Sequence, residues 1–168
     1  MADLLLKRIS RGLDRSAFDC GVESLNAFLR TQARQQDKAG TSTTVCAVDG
    51  ANTSAIVGYF TIMPEHITTL PDTPLYQIFG PHVTGVLLAR LATDLRYRGQ
   101  GVGEFLLIHA LERSVEAMHL IGGHGVILDA KEGSADFYLQ YGFETVSREE
   151  RQLFISRERA IELLVRLR

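Results

Sequence analysis

Apolar residues crowd the stretch from Val83 to Thr93 on both faces, interrupted by Arg90, which predicts a central strand covered by helices. The pattern then changes period. From Val102 to about Met118, Leu107, Ile108, Leu111, Val115 and Met118 fall on one helical stripe that Phe105 and Leu106 widen, predicting a deeply packed helix. Gly122-Gly123 ends it, and Gly125 to Ala130 predicts the next strand, parallel to the first by the right-handed crossover rule.

Upstream, Leu4 to Ile9 predicts a first strand, and Gly21, after Phe18-Asp19-Cys20, breaks the chain before a helix. From Glu23 onward Leu25, Phe28, Leu29 and Ala33 recur at helical spacing with Asn26, Arg30, Arg34 and Lys38 on other faces, predicting one amphipathic helix of roughly four turns. Thr43 to Val48 and Ala55 to Met63 predict two antiparallel strands joined at Asp49-Gly50-Ala51-Asn52, a hairpin-type turn. Pro64 to Pro81 is proline-rich without a clear period and reads as a loop with a short helix at best. Lys131 to Gln140 predicts a short helix carrying Phe137 and Tyr138, Glu144 to Phe154 a final hairpin, and Ser156 the cap of a last helix with Leu163, Leu164 and Leu167 inside. The sum is an α/β fold, a mixed central sheet with helices on both faces, in one domain over residues 1–168.

A length of 168 residues, 45% of them hydrophobic and 23% charged, suits a single globular core. The net charge of −2 excludes a protein basic all over, but the charge is uneven: residues 1–38 carry seven Lys or Arg against five acids, residues 39–143 five against ten. Cys20 and Cys46 are too few and too far apart for a disulfide framework or metal site and read as buried thiols. His109, His119 and His124 lack metal-ligand spacing and are assigned structural or surface roles. Met1 to Arg8 carries only a three-leucine apolar run without a cleavage site, and no segment approaches eighteen apolar residues, so a cytoplasmic location is expected and no membrane.

The chemistry concentrates at Arg98-Gly99-Gln100-Gly101-Val102-Gly103, between the central strand and the long helix. Alternate glycines let the backbone turn with its N–H groups converging, and the following helix adds the positive end of its dipole, which together cradle phosphate oxygens. Arg98 is placed to add a charge-assisted bond. The competing reading is a tight connection only, because close helix–strand packing also demands glycine. No Lys-Ser or Lys-Thr follows the last glycine, against a nucleoside-triphosphate loop, and the spacing and late position fit a dinucleotide fold poorly.

With its flanks, the loop resembles the acetyl-CoA signature of the GNAT N-acetyltransferases. The family pattern falls on Arg98, Gly101 and Gly103, and its second motif on Phe137, Tyr138, Gly142 and Phe143; the resemblance is strong from Val83 to Phe143. It implies acetyl-CoA as co-substrate, with the pyrophosphate on Arg98 to Gly103, the pantetheine arm and thioester carbonyl against the backbone of Leu91, Ala92 and Thr93, and Phe137 beside the cofactor. Tyr138 matches the tyrosine that protonates the departing thiolate; a phenol of pKa about 10 is protonated at neutral pH and close to a thiol in acidity. Tyr141 is a competitor three residues on. Lys131 stands where the family often has asparagine, a departure that affects one cofactor contact.

For the acceptor, neutralising a lysine amine of pKa about 10.4 at pH 7 costs roughly 4.6 kcal/mol, an α-amino group only about 1–1.4. A lysine acceptor would want a general base, for which Glu65 and His66 are candidates; an α-amino acceptor is the easier chemistry. Phe18-Asp19-Cys20-Gly21, Leu25 to Arg30 and Leu88 to Asp94 further resemble the GNAT toxins of toxin–antitoxin pairs, which acetylate the α-amino group of aminoacyl-tRNA and block translation. That resemblance implies aminoacyl-tRNA as substrate, Arg30, Arg34 and Arg90 as substrate-binding residues, and a small ribbon-helix-helix antitoxin as partner, with a homodimer left open. A patch of Arg11, Arg15, Arg30, Arg34, Lys38, Arg90 and Arg96 would offset the net charge of −2, which by itself speaks against tRNA. A housekeeping GNAT acting on a small amine or a protein N-terminus would share every cofactor residue, and a non-catalytic acetyl-CoA sensor remains a third class.

Overall fold

The computed structural model describes residues 3–147 and 151–168. The elements run β1 (Leu4–Arg8), α1 (Glu23–Thr31), α2 (Ala33–Ala39), β2 (Thr43–Asp49), β3 (Asn52–Thr68), α3 (Pro74–Phe79), β4 (His82–Thr93), α4 (Val102–Ile121), β5 (Gly125–Asp129), α5 (Ala135–Leu139), β6 (Glu144–Thr145), β7 (Gln152–Ser156) and α6 (Arg157–Arg166). The strands form a mixed seven-stranded sheet in the order β1-β2-β3-β4-β5-β7-β6. The chain divides into two compact units, Met1–Met63 with Ala89–Ala110, and Pro64–Leu88 with Leu111–Arg168.

In the first unit β1 pairs antiparallel with β2, and β2 with β3, across the expected Asp49–Asn52 turn. Leu25, Phe28, Leu29 and Ala33 bury against Ile9, Leu13, Phe18, Tyr59 and Ala92. Tyr59 sits at the centre, its hydroxyl donating to the Leu25 carbonyl at 2.8 Å. The single four-turn helix expected from Glu23 is instead two helices broken at Gln32, whose φ is −124°. Thr31 Oγ1 donates back to the Ala27 carbonyl at 2.7 Å, a back-bond of the kind that bends helices. Cys20 and Cys46 are free and buried, and burial pushes the Cys46 thiol up to about 12.

In the second unit β4 and β5 are parallel, Gly85 facing Gly125 and Leu87 facing Ile127, and β7 lies antiparallel on β5. The loop expected from Pro64 is wrong over its first residues, because β3 continues to Thr68. Ile67 packs against Leu75, Val83, Ile127, Val146 and Phe154, and that burial carries the strand past an exposed proline. The helix expected from Lys131 begins only at Ala135, since the Lys131 carbonyl accepts both the N–H and the hydroxyl of Ser134 and closes a turn first. β6 pairs with β7 at Glu144–Phe154 and Thr145–Leu153; residues 148–150 of the expected hairpin lie outside the described residues.

Ser156 caps α6, its hydroxyl accepting from the Arg159 N–H at 3.2 Å. Ala160, Leu163 and Leu164 are buried, whereas Leu167, expected inside, is exposed because α6 ends at Arg166. In α4 the fully buried row is Leu106, Ala110, Ser114 and Met118 with Leu107 and Leu111, while Ile108 and Val115 are half-buried. The small side chains of Ala110 and Ser114 turn the helix's inner face by about one residue from the all-apolar stripe.

Candidate active site

Leu91, Ala92 and Thr93 end β4, beyond the Gly85–Leu87 ladder to β5. Beside them Gly58 of β3 allows a close approach: a Cβ there would stand 2.9 Å from the Ala92 carbonyl oxygen and 2.7 Å from Leu106 Cδ1. The chain then turns on Asp94, a carboxylate only 1% exposed. It accepts the N–H of Arg96 at 2.9 Å, the Arg96 guanidinium at 2.9 and 3.0 Å, and the N–H of Asp19 at 3.1 Å. Burial would raise this carboxyl, but the hydrogen bonds and charge of Arg96 and the Asp19 N–H outweigh it and hold it below the ordinary range.

After a 3-10 turn, Leu95–Tyr97, the backbone enters the glycine loop with φ of +74° at Gly99 and +80° at Gly101, conformations that L side chains rarely adopt. A Cβ at either would meet nothing within 4 Å, so these glycines are needed for backbone direction and the space before them is open. The loop opens onto a cavity of about 830 Å³ lined by Asp3, Leu4, Gly99, Gln100, Gly101, Glu104, Phe105 and Ile108. Two left-handed glycines at the head of a 20-residue helix, with Val102 buried and Gly103 half-buried, fit an anion such as the pyrophosphate of acetyl-CoA. Arg98 is exposed, and one guanidinium nitrogen donates to the Cys20 carbonyl at 3.2 Å, tying the loop to the Phe18–Gly21 turn.

In the second unit Tyr138 is buried, edge-on to Phe137 and to Phe143 at centroid separations of 5.1 and 5.7 Å. Phe137 is half-buried and also meets Tyr141 edge-on. Burial pushes the Tyr138 phenol up to about 12. The proton is therefore secure at neutral pH, but the near-match to a thiol expected from the sequence is lost.

Five of the seven expected patch cations come together in the first unit. Arg11, Arg15, Arg30, Arg34 and Lys38, with Thr31 and Gln35, line a cavity of about 410 Å³. Arg15 donates to the Arg30 carbonyl at 3.2 Å and Arg30 pairs with Glu23 at 2.6 Å. Arg96 is not part of this cavity, because its guanidinium is spent on Asp94. Arg90 lies with its guanidinium carbon 3.5 Å over the Phe28 ring, and burial holds its pKa below the ordinary value.

The family model for the acetyltransferase (GNAT) domain matches residues 40–145. The chain belongs to the GNAT acetyltransferases. It is an acetyl-CoA-dependent N-acetyltransferase by family. It is 30% identical over 142 residues, 82% of each chain, to the tRNA-acetylating toxin of Mycobacterium tuberculosis strain H37Rv. Among solved structures it resembles AtaT complexed with acetyl-methionyl-tRNAfMet, at 28% identity and a TM-score of 0.84 over 97% of this chain and 99% of that one. It also resembles a tyrosine-to-phenylalanine mutant of the AtaT toxin bound to the C-terminus of the antitoxin AtaR and acetyl-CoA, at 27% identity and a TM-score of 0.81 over 96% and 98%.

Within the GNAT chain the candidate bases are engaged locally. Glu65 accepts the His66 N–H at 2.9 Å, and the His66 ring stacks on His82 with ring nitrogens 3.3 Å apart. His109 meets Phe105 edge-on, and His124 Nδ1 accepts the Thr84 N–H at 3.1 Å. Among the described residues no three His, Cys, Asp or Glu side chains group as metal ligands, and no helix is long and apolar enough to cross a membrane.

Sequence reasoning missed the knot that holds the GNAT loop. Asn26 is buried, its amide oxygen accepting the Cys20 N–H and its amide nitrogen donating to Asp19, both at 2.9 Å, while Asp19 is bound in turn to Asp94 and Leu95. The available signal was polar residues at otherwise apolar positions: Asn26 beside Leu25 in α1, and Asp94 directly after the central strand.

Proposed function

We propose that this GNAT enzyme is a toxin that transfers the acetyl group of acetyl-CoA to the α-amino group of aminoacyl-tRNA and so blocks translation. The observation that carries the reading is the cavity built by Arg11, Arg15, Arg30, Arg34 and Lys38 in a chain whose net charge is −2. Clustered cations where the average surface is acidic suit a polyanionic substrate. The substrates named for the M. tuberculosis relative and for AtaT support the same class.

Bound acetyl-CoA supplies an activated acetyl thioester. The backbone N–H groups of Leu91, Ala92 and Thr93 orient and polarise its carbonyl, and Arg98, Gly99, Gln100, Gly101, Val102 and Gly103 hold the pyrophosphate at the start of α4. Phe137 packs beside the cofactor, and Tyr138 gives its phenolic proton to the sulfur as the C–S bond breaks. Arg30, Arg34 and Arg90 bind the acceptor. An α-amino nucleophile, already partly neutral at physiological pH, attacks the carbonyl without a dedicated base; its nitrogen sheds a proton to solvent as the amide forms, and solvent returns a proton to the Tyr138 phenolate.

The enzyme works as one domain over residues 1–168, in the cytoplasm and against a ribbon-helix-helix antitoxin; the AtaT complex with AtaR supports an antitoxin partner. Incubation with radiolabelled acetyl-CoA and either charged tRNA or a panel of free amines and peptide N-termini tests the substrate. Label on charged tRNA alone is expected; label only on a free amine would assign the enzyme to housekeeping chemistry.

A further inference from the structure

Arg90 is the one strongly basic residue of the central strand, and its surroundings are unusual. Its guanidinium lies 3.5 Å over the face of Phe28, a ring only 3% exposed that itself stacks on Tyr59 with centroids 6.3 Å apart. Among the described residues no carboxylate, carbonyl or hydroxyl accepts from it. The acids at that end of the unit are occupied elsewhere: Asp94 by Arg96, Asp19 by Asn26 and Gly21, and Glu23 by Arg30. Tyr59, the other titratable group facing it, donates its hydroxyl to the Leu25 carbonyl.

Among the described residues no buried side-chain nitrogen lacks a partner, so the Arg90 guanidinium, which has no acceptor from the protein, turns its N–H groups to solvent, where a ligand can reach them. A guanidinium whose central carbon stands 3.5 Å over an aromatic ring is restrained in position while its N–H donors stay available, and a guanidinium binds a phosphate through two parallel bonds. Arg90 directly precedes Leu91–Thr93, where the acetyl carbonyl is proposed to bind, and α1 supplies both Phe28 beneath it and the Arg30 and Thr31 that line the basic cavity.

We propose that Arg90, with Phe28 as its positioning residue, is a substrate-positioning contact that takes a phosphate of the acceptor's terminal nucleotide in a two-bond fork. This deepens the aminoacyl-tRNA reading and rests on it. The five cations of the cavity then track the backbone beyond.

The test is binding of uncharged tRNA to the full-length protein across a salt series, with the acetyl-CoA thermal shift as control. Arg90→Gln is expected to weaken tRNA binding about 10- to 150-fold and to lower the salt slope by about one, leaving the acetyl-CoA shift intact. Arg90→Lys, which keeps the charge and loses the fork, should retain the slope and recover only part of the affinity, and Phe28→Leu should behave like it. Full rescue by Lys would overturn the fork, wild-type binding by Phe28→Leu would overturn the positioning role, and an equal loss of the acetyl-CoA shift in Arg90→Gln would show a structural role instead. Wild-type protein that binds tRNA through Arg90 but transfers no acetyl group to charged tRNA would uphold this contact and overturn the proposed function.

Discussion

The Asp94 carboxylate accepts the N–H of Asp19 at 3.1 Å, and the Asp19 carbonyl accepts in return the N–H of Leu95, the residue after Asp94, at 2.8 Å. The two residues stand 75 positions apart, so this exchange fastens the turn before α1 to the exit of the central strand. The glycine loop starts four residues later.

Asp94→Asn should therefore destabilise the fold by roughly 1–3 kcal/mol at neutral pH, the cost of weakening hydrogen bonds to a buried charged group. The folded carboxyl titrates below its ordinary value of 3.8, so its contribution is complete above that pH and is lost as pH falls through the folded value. Urea midpoints of wild type and variant should converge in acid. A gap that stays constant through the whole acid transition below pH 3.8 would mean that the charge of Asp94 is not what stabilises.

Gly101 carries φ of +80° with open space around its Cβ position, so substitution acts through backbone strain rather than crowding. Gly101→Val should cost about 1–2 kcal/mol and abolish the thermal shift given by acetyl-CoA, while Gly101→Asn, which tolerates left-handed backbone, should keep part of it. Equal shifts in all three proteins would place the cofactor elsewhere.

Gly58→Val tests the opposite case, where crowding is the whole effect. The new Cβ would lie 2.7 Å from Leu106 Cδ1 and 2.9 Å from the Ala92 carbonyl. A loss of about 1–3 kcal/mol in denaturant unfolding is expected, with activity falling because the strand end at Ala92 must shift. Wild-type stability would show that β3 can give way freely.

Tyr138→Phe should lower kcat about 100- to 10,000-fold with little change in acetyl-CoA affinity, since the hydroxyl serves the leaving thiolate. With the phenol pushed up to about 12, the wild type should show no alkaline loss of rate from this group through about pH 10. Retained turnover in Tyr138→Phe would transfer the proton-donor role to Tyr141 or to water.

Charge reversal at Arg34 should weaken tRNA acetylation and flatten its dependence on salt, because each lost phosphate contact removes about one released counterion. A slope equal to wild type would place the tRNA path outside the cavity.

The sequence by itself determined the elements whose cause is local. A run apolar on both faces marked the central strand, a period of 3.6 marked α4, the glycines at 122–123 marked its end and the start of β5, Ser156 marked a cap, and alternate glycines marked the turn from Arg98 to Gly103. Each depends on residues within a few positions of one another. The GNAT signature was legible for the same reason: it is short and contiguous.

Tertiary structure decided what depends on distant partners. Burial of Ile67 in a core of residues up to 87 positions away carried β3 past Pro64, against the local breaker signal. Arg96 looked like a patch cation beside Arg90, yet the nearly buried Asp94 takes its guanidinium, and only packing brings Phe28 under Arg90. The phenol of Tyr138 moved from its ordinary acidity to about 12 because desolvation is a property of the folded surroundings, not of the residue.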